Sequence, residues 1–221
     1  MENETLKEQN AQPQDFLYST LSVLENLLKC RDKTIGDQIE RKTAFLKILM
    51  NAMIIRGIYA DEMKKMGMDL DMLCHSARVH DVGKFCIPDA VLFKPNKLTA
   101  EEIEIMKTHA IEGERIIDEI ISQMKDKGKL LYNAKLFAGY HHERWDGKGY
   151  PRGLDRMNIP IQGRIMAVVD VYDALVSERP YKEPFTPEEA VKIIMDSSGE
   201  MFDPLIVEVF FEARKQFETV T

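Results

Sequence analysis

"IQGRIMAVVDVYDALVSE", residues 161–178, reads as one apolar-rich helix that Pro180 stops, because proline lacks an amide hydrogen and clashes with the preceding turn. Asp170 lies midway along it. A carboxylate buried there without a partner would be costly. Asp173, one turn further on, shares its face.

Outward from this helix the apolar spacing stays helical. Phe16, Leu17, Leu21, Leu24, Leu27 and Leu28 form one stripe over an N-terminal helix at 15–31. A second helix is expected over about Ile35 to Ile58, and "MDLDMLCHSARVHD" (68–81) gives a third ending near His80. Gly83 and Pro88 then interrupt the pattern. Thr99 with Glu102 fits a capping box, and Thr186, Pro187 and Glu189 repeat it with proline at the first helical position. Asp203 before Pro204 opens the C-terminal helix. Strict alternation of period two is almost missing from the chain. The expected fold class is all-α.

Residues 1–14 are polar and acidic, and read as a disordered leader to a domain over 15–221. They carry no apolar secretion signal, and no run approaches the length of a membrane span, so a cytoplasmic address is expected. A net charge of −7 over 221 residues argues against a nucleic-acid or anionic-membrane binder, which needs a basic face. It leaves room for a small anionic substrate in a locally positive pocket. Cys30, Cys74 and Cys86 are far apart in sequence and read as reduced thiols. The thirteen methionines read as core filler.

The chain has five histidines, and four stand in suggestive places. In "RVHDVGKF" (78–85), His80 and Asp81 are adjacent. Neighbours on a helix point about 100° apart, so both reach one ion most easily at a helix end, where Gly83 is expected to supply the turn. A histidine nitrogen beside a carboxylate able to bridge two cations suits iron or manganese. Alone the dipeptide is weak evidence. But His109 lies on a predicted helix in "MKTHAIEGERI" (106–116), and "YHHERWDGKGYP" (140–151) closes another helix with His141 and His142 before a glycine-rich turn. Four histidines, with aspartates at a helix end and inside an apolar helix, point to one cluster.

"HDVGKFCIPDAVLFKPNKLTAEEIEIMKTH" (80–109), "YHHERWDGKGYPRGL" (140–154) and "RIMAVVDVYDALVSERPYK" (164–182) closely resemble the HD-GYP family, bacterial metal-dependent phosphodiesterases of the HD superfamily that hydrolyse cyclic di-GMP. The likeness covers roughly 15–215 and implies an HD-domain helical bundle with an N-terminal connecting helix. It further implies two divalent metal ions, iron or manganese. His80, Asp81 and Asp170 would hold one, and Asp81 would bridge to the other, held by His109, His141 and His142. Two such cations stabilise a hydroxide at neutral pH and neutralise the phosphate it attacks. Lys84 would approach the scissile phosphate, and Arg179 and Lys182 match a phosphate-contacting basic pair. Asp146, Gly147, Gly149, Tyr150 and Pro151 form the loop that shapes the pocket rim and, in the family, contacts partner proteins. A homodimer is compatible with this reading.

The likeness breaks at "TIGDQI" (34–39), where the family reads like "ETGNHI". Gln38 stands at a ligand histidine's position, and Thr34 at that of a glutamate one turn earlier on the same face. Glu40 points about 200° away from Gln38 and His75 is about 140° from His80, so neither is a good replacement, whereas Asp37, about 100° from Gln38, reaches the site if the helix begins late. Three functions therefore compete: hydrolysis of cyclic di-GMP to pGpG and on to GMP; a weakened module that binds a cyclic dinucleotide or a partner protein; and a phosphohydrolase for another nucleotide.

Overall fold

The computed structural model describes residues 2–31, 35–67, 70–124, 129–178 and 183–220. Within them the chain forms α1 (Glu2–Arg31), α2 (Ile35–Arg56), α3 (Ala60–Met66), α4 (Leu70–Ala77), α5 (Asp89–Leu92), α6 (Ala100–Gln123), α7 (Lys129–Tyr140), α8 (Ile161–Val176), α9 (Pro187–Asp196) and α10 (Pro204–Phe217), with no strand among the described residues. The all-α expectation holds. Among the described residues, no helix is long and apolar enough to cross a membrane.

The caps read from sequence are in place. Thr99 and Glu102 make reciprocal side-chain and backbone bonds at the start of α6, and Thr186 and Glu189 do the same for α9. The Asp203 carboxylate accepts from Leu205 N–H at α10. Each satisfies amides that the first turn leaves unpaired.

Some boundaries differ from the sequence reading. α1 begins at Glu2, inside the stretch read as a leader. Glu, Lys, Gln and Ala are good helix formers, so local propensity there favours helix even without an apolar stripe. α2 ends at Arg56, where Gly57 takes a positive φ of 68°, and α3 follows, a short helix the pattern did not reveal. α4 ends at Ala77 rather than near His80. α8 ends at Val176; Pro180 lies outside the described residues.

Two apolar clusters form the interior. One joins α2, α4, α8, α9 and α10 through Phe45, Leu49, Met53, Val168, Tyr172, Phe210 and Phe217, with the Phe45 and Phe217 rings stacked at 5.1 Å. The other joins α1, α6 and α7 to the 79–82 turn through Leu21, Leu28, Ile117, Leu131, Ala138, Val79 and Val82. Burying such side chains is worth about 1.5–3 kcal/mol each and fixes the helices relative to one another. Asp170 comes from the helix at the heart of the first cluster. His80, Asp81, His109 and the 141–142 pair come from elements of the second. The seam between the clusters is where polar chemistry collects.

Candidate metal centre

Beyond Ala77 the chain winds on in tight turns. His80 N–H donates to Ala77 O (3.0 Å), Val82 N–H to Val79 O (2.9 Å) and Lys84 N–H to Asp81 O (2.9 Å), leading into a 3-10 turn over Val82–Cys86. Asp81 itself sits at φ −92°, ψ 12°, in the sparsely used bridge region. This path brings the His80 and Asp81 side chains together, with Nε2 and Oδ2 3.3 Å apart. Gly83 lies in that turn, as the sequence suggested, but the need for glycine comes from packing. A Cβ on it would lie 1.9 Å from His109 O and 2.4 Å from Gly113 N, so glycine is needed to let the turn press against α6. That contact seats His109 beside Asp81.

The three histidines of the far side converge. His109 Nε2 lies 3.3 Å from His141 Nε2 and 3.2 Å from His142 Nε2, and all three offer ligand atoms within 4.8 Å of one another. Their tautomers follow from the backbone. His109 Nδ1 lies 2.7 Å from Met106 O, and His141 Nδ1 lies 2.9 Å from Ala138 O. Both Nδ1 atoms therefore carry the proton and donate it, leaving two bare Nε2 lone pairs facing each other across 3.3 Å. Lone pairs held so close repel unless a cation lies between them, and backbone-anchored histidines are the usual support for a metal ligand. Burial holds the His109 imidazole below its ordinary range; burial and the neighbouring imidazoles take His141 well below it. Burial brings His142 down to about 4. All three are neutral at pH 7, as ligands must be.

Asp81 faces both ways. Its Oδ1 lies 3.5 Å from His109 Nε2 and 3.8 Å from His141 Nε2, and its Oδ2 lies 2.8 Å from Lys84 Nζ and 3.3 Å from His80 Nε2. Burial raises its carboxyl, but Lys84, His80 and Lys42 outweigh this and hold it well below the carboxylate range. The donor set of His109, His141, His142 and Asp81 Oδ1 fits a divalent cation.

The other half is filled by a residue that sequence reasoning missed. Lys42, buried in α2 one turn after Gln38, places Nζ 2.5 Å from Asp170 Oδ1, 3.3 Å from His80 Nε2 and 3.9 Å from Asp81 Oδ2. His80 Nδ1 lies 2.9 Å from Ala77 O and donates to it, so Nε2 is free to accept from the ammonium. Asp170 is thus paired. Burial raises its carboxyl, and Lys42 and His142 more than reverse this. Burial alone would lower the Lys42 ammonium, but Asp170 and Asp81 raise it. This half does not fit a metal ion as it stands.

The remaining residues fall into place around the centre. Asp173, expected on the face of Asp170, accepts from Arg41 Nε at 2.9 Å and belongs to a structural pair. Glu40 pairs with Arg78 and Lys29, away from the cluster, and Asp37 is exposed. His75 is half-buried against Tyr18 and Ser22 and takes no part. Thr34, Arg179 and Lys182 lie outside the described residues, so their expected roles stay as expectations.

The 146–151 loop is built to pack against the histidines. Gly147 has φ +76°, and a Cβ on Gly149 would lie 2.3 Å from Arg144 N. Asp146 is held by Arg144 at 2.7 and 3.0 Å and accepts from Lys148 N–H, so it shapes the loop rather than facing the pocket. The Tyr150 ring stacks on His142 at 4.6 Å, ahead of a cis Tyr150–Pro151 peptide bond. Glu143, also missed from sequence, is buried and accepts from Arg152 N–H (2.8 Å) and Leu154 N–H (3.0 Å), bracing the loop from below. A glutamate directly after the paired histidines was the available signal.

Comparison with known proteins agrees with this geometry. The HD domain family matches residues 22–206. A cyclic di-GMP phosphodiesterase of Thermotoga maritima is 40% identical over 207 residues, covering 94% of this chain and 52% of that protein. A 3'3'-cGAMP-specific phosphodiesterase 2 of Vibrio cholerae is 37% identical over 88% of this chain and 34% of its own length. The chain spans about half or less of the curated relatives it matches. Among solved structures, the HDG"Y"P protein Bd1817 from Bdellovibrio bacteriovorus superposes with a TM-score of 0.57 at 19% identity, over 83% of this chain and 53% of that one. The chain belongs to the HD-domain family and carries the paired motifs of its HD-GYP branch, from His80-Asp81 to Gly149-Tyr150-Pro151.

Proposed function

We propose that the chain is a divalent-metal-dependent phosphodiesterase that hydrolyses cyclic di-GMP to linear pGpG and on to GMP. One observation carries the reading: three neutral imidazoles and Asp81 Oδ1 converge, with the Nε2 lone pairs of His109 and His141 inward, on an anionic seam lined by Lys84. Iron or manganese suits this mixed nitrogen and oxygen set. Held by His109, His141, His142 and Asp81, such an ion would polarise a phosphoryl oxygen and lower the pKa of a water molecule, the chemistry that hydrolysis of a phosphodiester needs.

The chain's own residues do the rest. Asp81, ionised throughout the physiological range, orients the ligand set. Lys84, part-exposed beside it, donates a hydrogen bond to a phosphate oxygen and offsets its charge. By resemblance, Arg179 and Lys182 are the further phosphate-contacting pair. Tyr150 fixes the His142 ring by stacking, and the same 146–151 loop is the proposed contact for partner proteins.

Protein purified without oxygen and loaded with Mn(II) or Fe(II) should convert cyclic di-GMP to pGpG, followed by chromatography, while Asp81→Ala should not. Equal rates for the two proteins would end the reading. A second reading is favoured by Lys42 in the Asp170 half: a module that binds a cyclic dinucleotide with little turnover. Binding without hydrolysis would support it. The Vibrio relative named for 3'3'-cGAMP makes that dinucleotide the first alternative substrate.

A further inference from the structure

His80, Asp81 and Asp170 form a buried anionic recess, and such a recess demands a cation. Two changes on α2 bear on which cation. Gln38 and Thr34 stand where the family places a histidine and a glutamate, so ligands are lost from this side. One turn after Gln38, Lys42 points into the same recess and satisfies all three groups with one ammonium: a 2.5 Å ion pair to Asp170, a 3.3 Å hydrogen bond to His80 Nε2, and 3.9 Å to Asp81 Oδ2. Asp81 and Asp170 reach it from different elements, so the ammonium sits among the donors that an ion would need.

We propose that the Lys42 ammonium takes the place of the first of the two cations, leaving a centre built for a single divalent ion held by His109, His141, His142 and Asp81. The lysine is sealed between α2, α4 and α8, and a divalent ion 2–3 Å from Asp170 would have to share its space and oppose its charge. Asp81 Oδ2 faces the ammonium groups of Lys84 and Lys42, while Oδ1, beside His109 and His141, would be the atom available to an ion. The recess keeps the local charge balance that positions Asp81 without a second ion.

This inference rests on the histidine half being a metal site, and ion counting separates it from the question of hydrolysis because it needs no substrate. Full-length protein is stripped with chelator, reloaded with excess Mn(II), desalted and analysed for manganese. In parallel, electron paramagnetic resonance distinguishes an isolated Mn(II) from a spin-coupled pair. The wild-type chain should hold about one ion with an uncoupled spectrum, where two-metal sites hold two. Two ions with a coupled spectrum overturns the proposal, whatever the activity. The Lys42→Val, Gln38→His double variant should move toward two ions and a coupled signal. A folded double variant that stays at one shows that the lysine is not what excludes the second ion, and also overturns it.

Discussion

Gly83→Ala tests whether packing between the 82–86 turn and α6 sets the metal centre. An alanine Cβ would stand 1.9 Å from His109 O, 2.4 Å from Gly113 N and 2.8 Å from His109 C, and all three are backbone atoms that cannot rotate away. Real Cβ contacts essentially never fall under 3.0 Å, so the turn and α6 must separate by at least about 1.1 Å. Overpacking of this kind costs about 1–3 kcal/mol, and a backbone obstruction places it at the upper end. The displaced residue is the ligand His109, whereas metal sites hold their distances to within about 0.2 Å. Mn(II) affinity should therefore fall by about 10–100-fold, as when a ligand's supporting residue is removed. Gly113→Ala is the control: its Cβ meets Gly83 N at 3.1 Å and Ala138 Cβ at 3.3 Å, which shifts of a few tenths of an ångström relieve. Urea unfolding of the metal-free proteins gives the stability difference, and competition with a fluorescent chelator gives the affinity. Gly83→Ala with an unchanged midpoint and unchanged Mn(II) affinity refutes the reasoning, as does a larger loss in Gly113→Ala.

Arg164 is buried in α8, donates to Asp203 Oδ2 (2.9 Å) and Ile159 O (2.9 Å), pairs with Glu62 and lies over the Tyr59 ring. Arg164→Met should cost about 3–5 kcal/mol in urea unfolding, because Asp203 is left buried and charged; adding Asp203→Asn should return part of it. Glu143→Ala removes the acceptor for the Arg152 and Leu154 amides. Orphaned donors cost about 1–3 kcal/mol each, so hydrogen exchange over 147–154 should accelerate at least tenfold while α10 keeps its protection; unchanged exchange would show that Glu143 does not brace the loop. Burial raises the Glu25 carboxyl, but hydrogen bonds from Arg78 and Lys29 outweigh this and bring it to about 2 from 4.5. A depressed carboxylate stabilises the fold above its unfolded value and loses that contribution as pH falls from 4.5 through about 2. Thermal melts of Glu25→Gln should show a shallower acid slope across that window than the wild type, and parallel slopes would remove the pair from the account.

The elements that sequence made legible are those whose cause is local. Capping boxes at Thr99 and Thr186, the Asp203-Pro204 start and the apolar face of α8 depend on residues within one or two turns of each other, and each stands where the pattern placed it. α3 is short and its Ala60–Met66 run carries mixed charge, so no stripe announces it. Gly83 lies in the turn that the local pattern places there, but the constraint that demands glycine is the α6 backbone 26 residues away at His109. Glycine at a close approach and glycine in a turn look alike in one dimension.

Lys42 shows the same limit at the centre of the site. The departure at Gln38 and Thr34 is visible in the sequence, and Asp37, Glu40 and His75 are the nearby side chains that could donate electron pairs in their place. Each of them is a replacement only if an ion is still held. The recess admits another solution: remove the ion and install a positive charge of the protein's own. Lys42 immediately precedes the "TAFLKILM" run (43–50), and nothing within a turn of it marks it as buried. Its burial follows from tertiary packing, and its partners, Asp170 and Asp81, lie on other elements. A substitution that deletes ligands and a nearby one that adds a cation are therefore one event in electrostatic terms. The Asp170 carboxylate keeps a positive partner in either arrangement, which is why the fold and the histidine half can persist unchanged while the expected ion count does not.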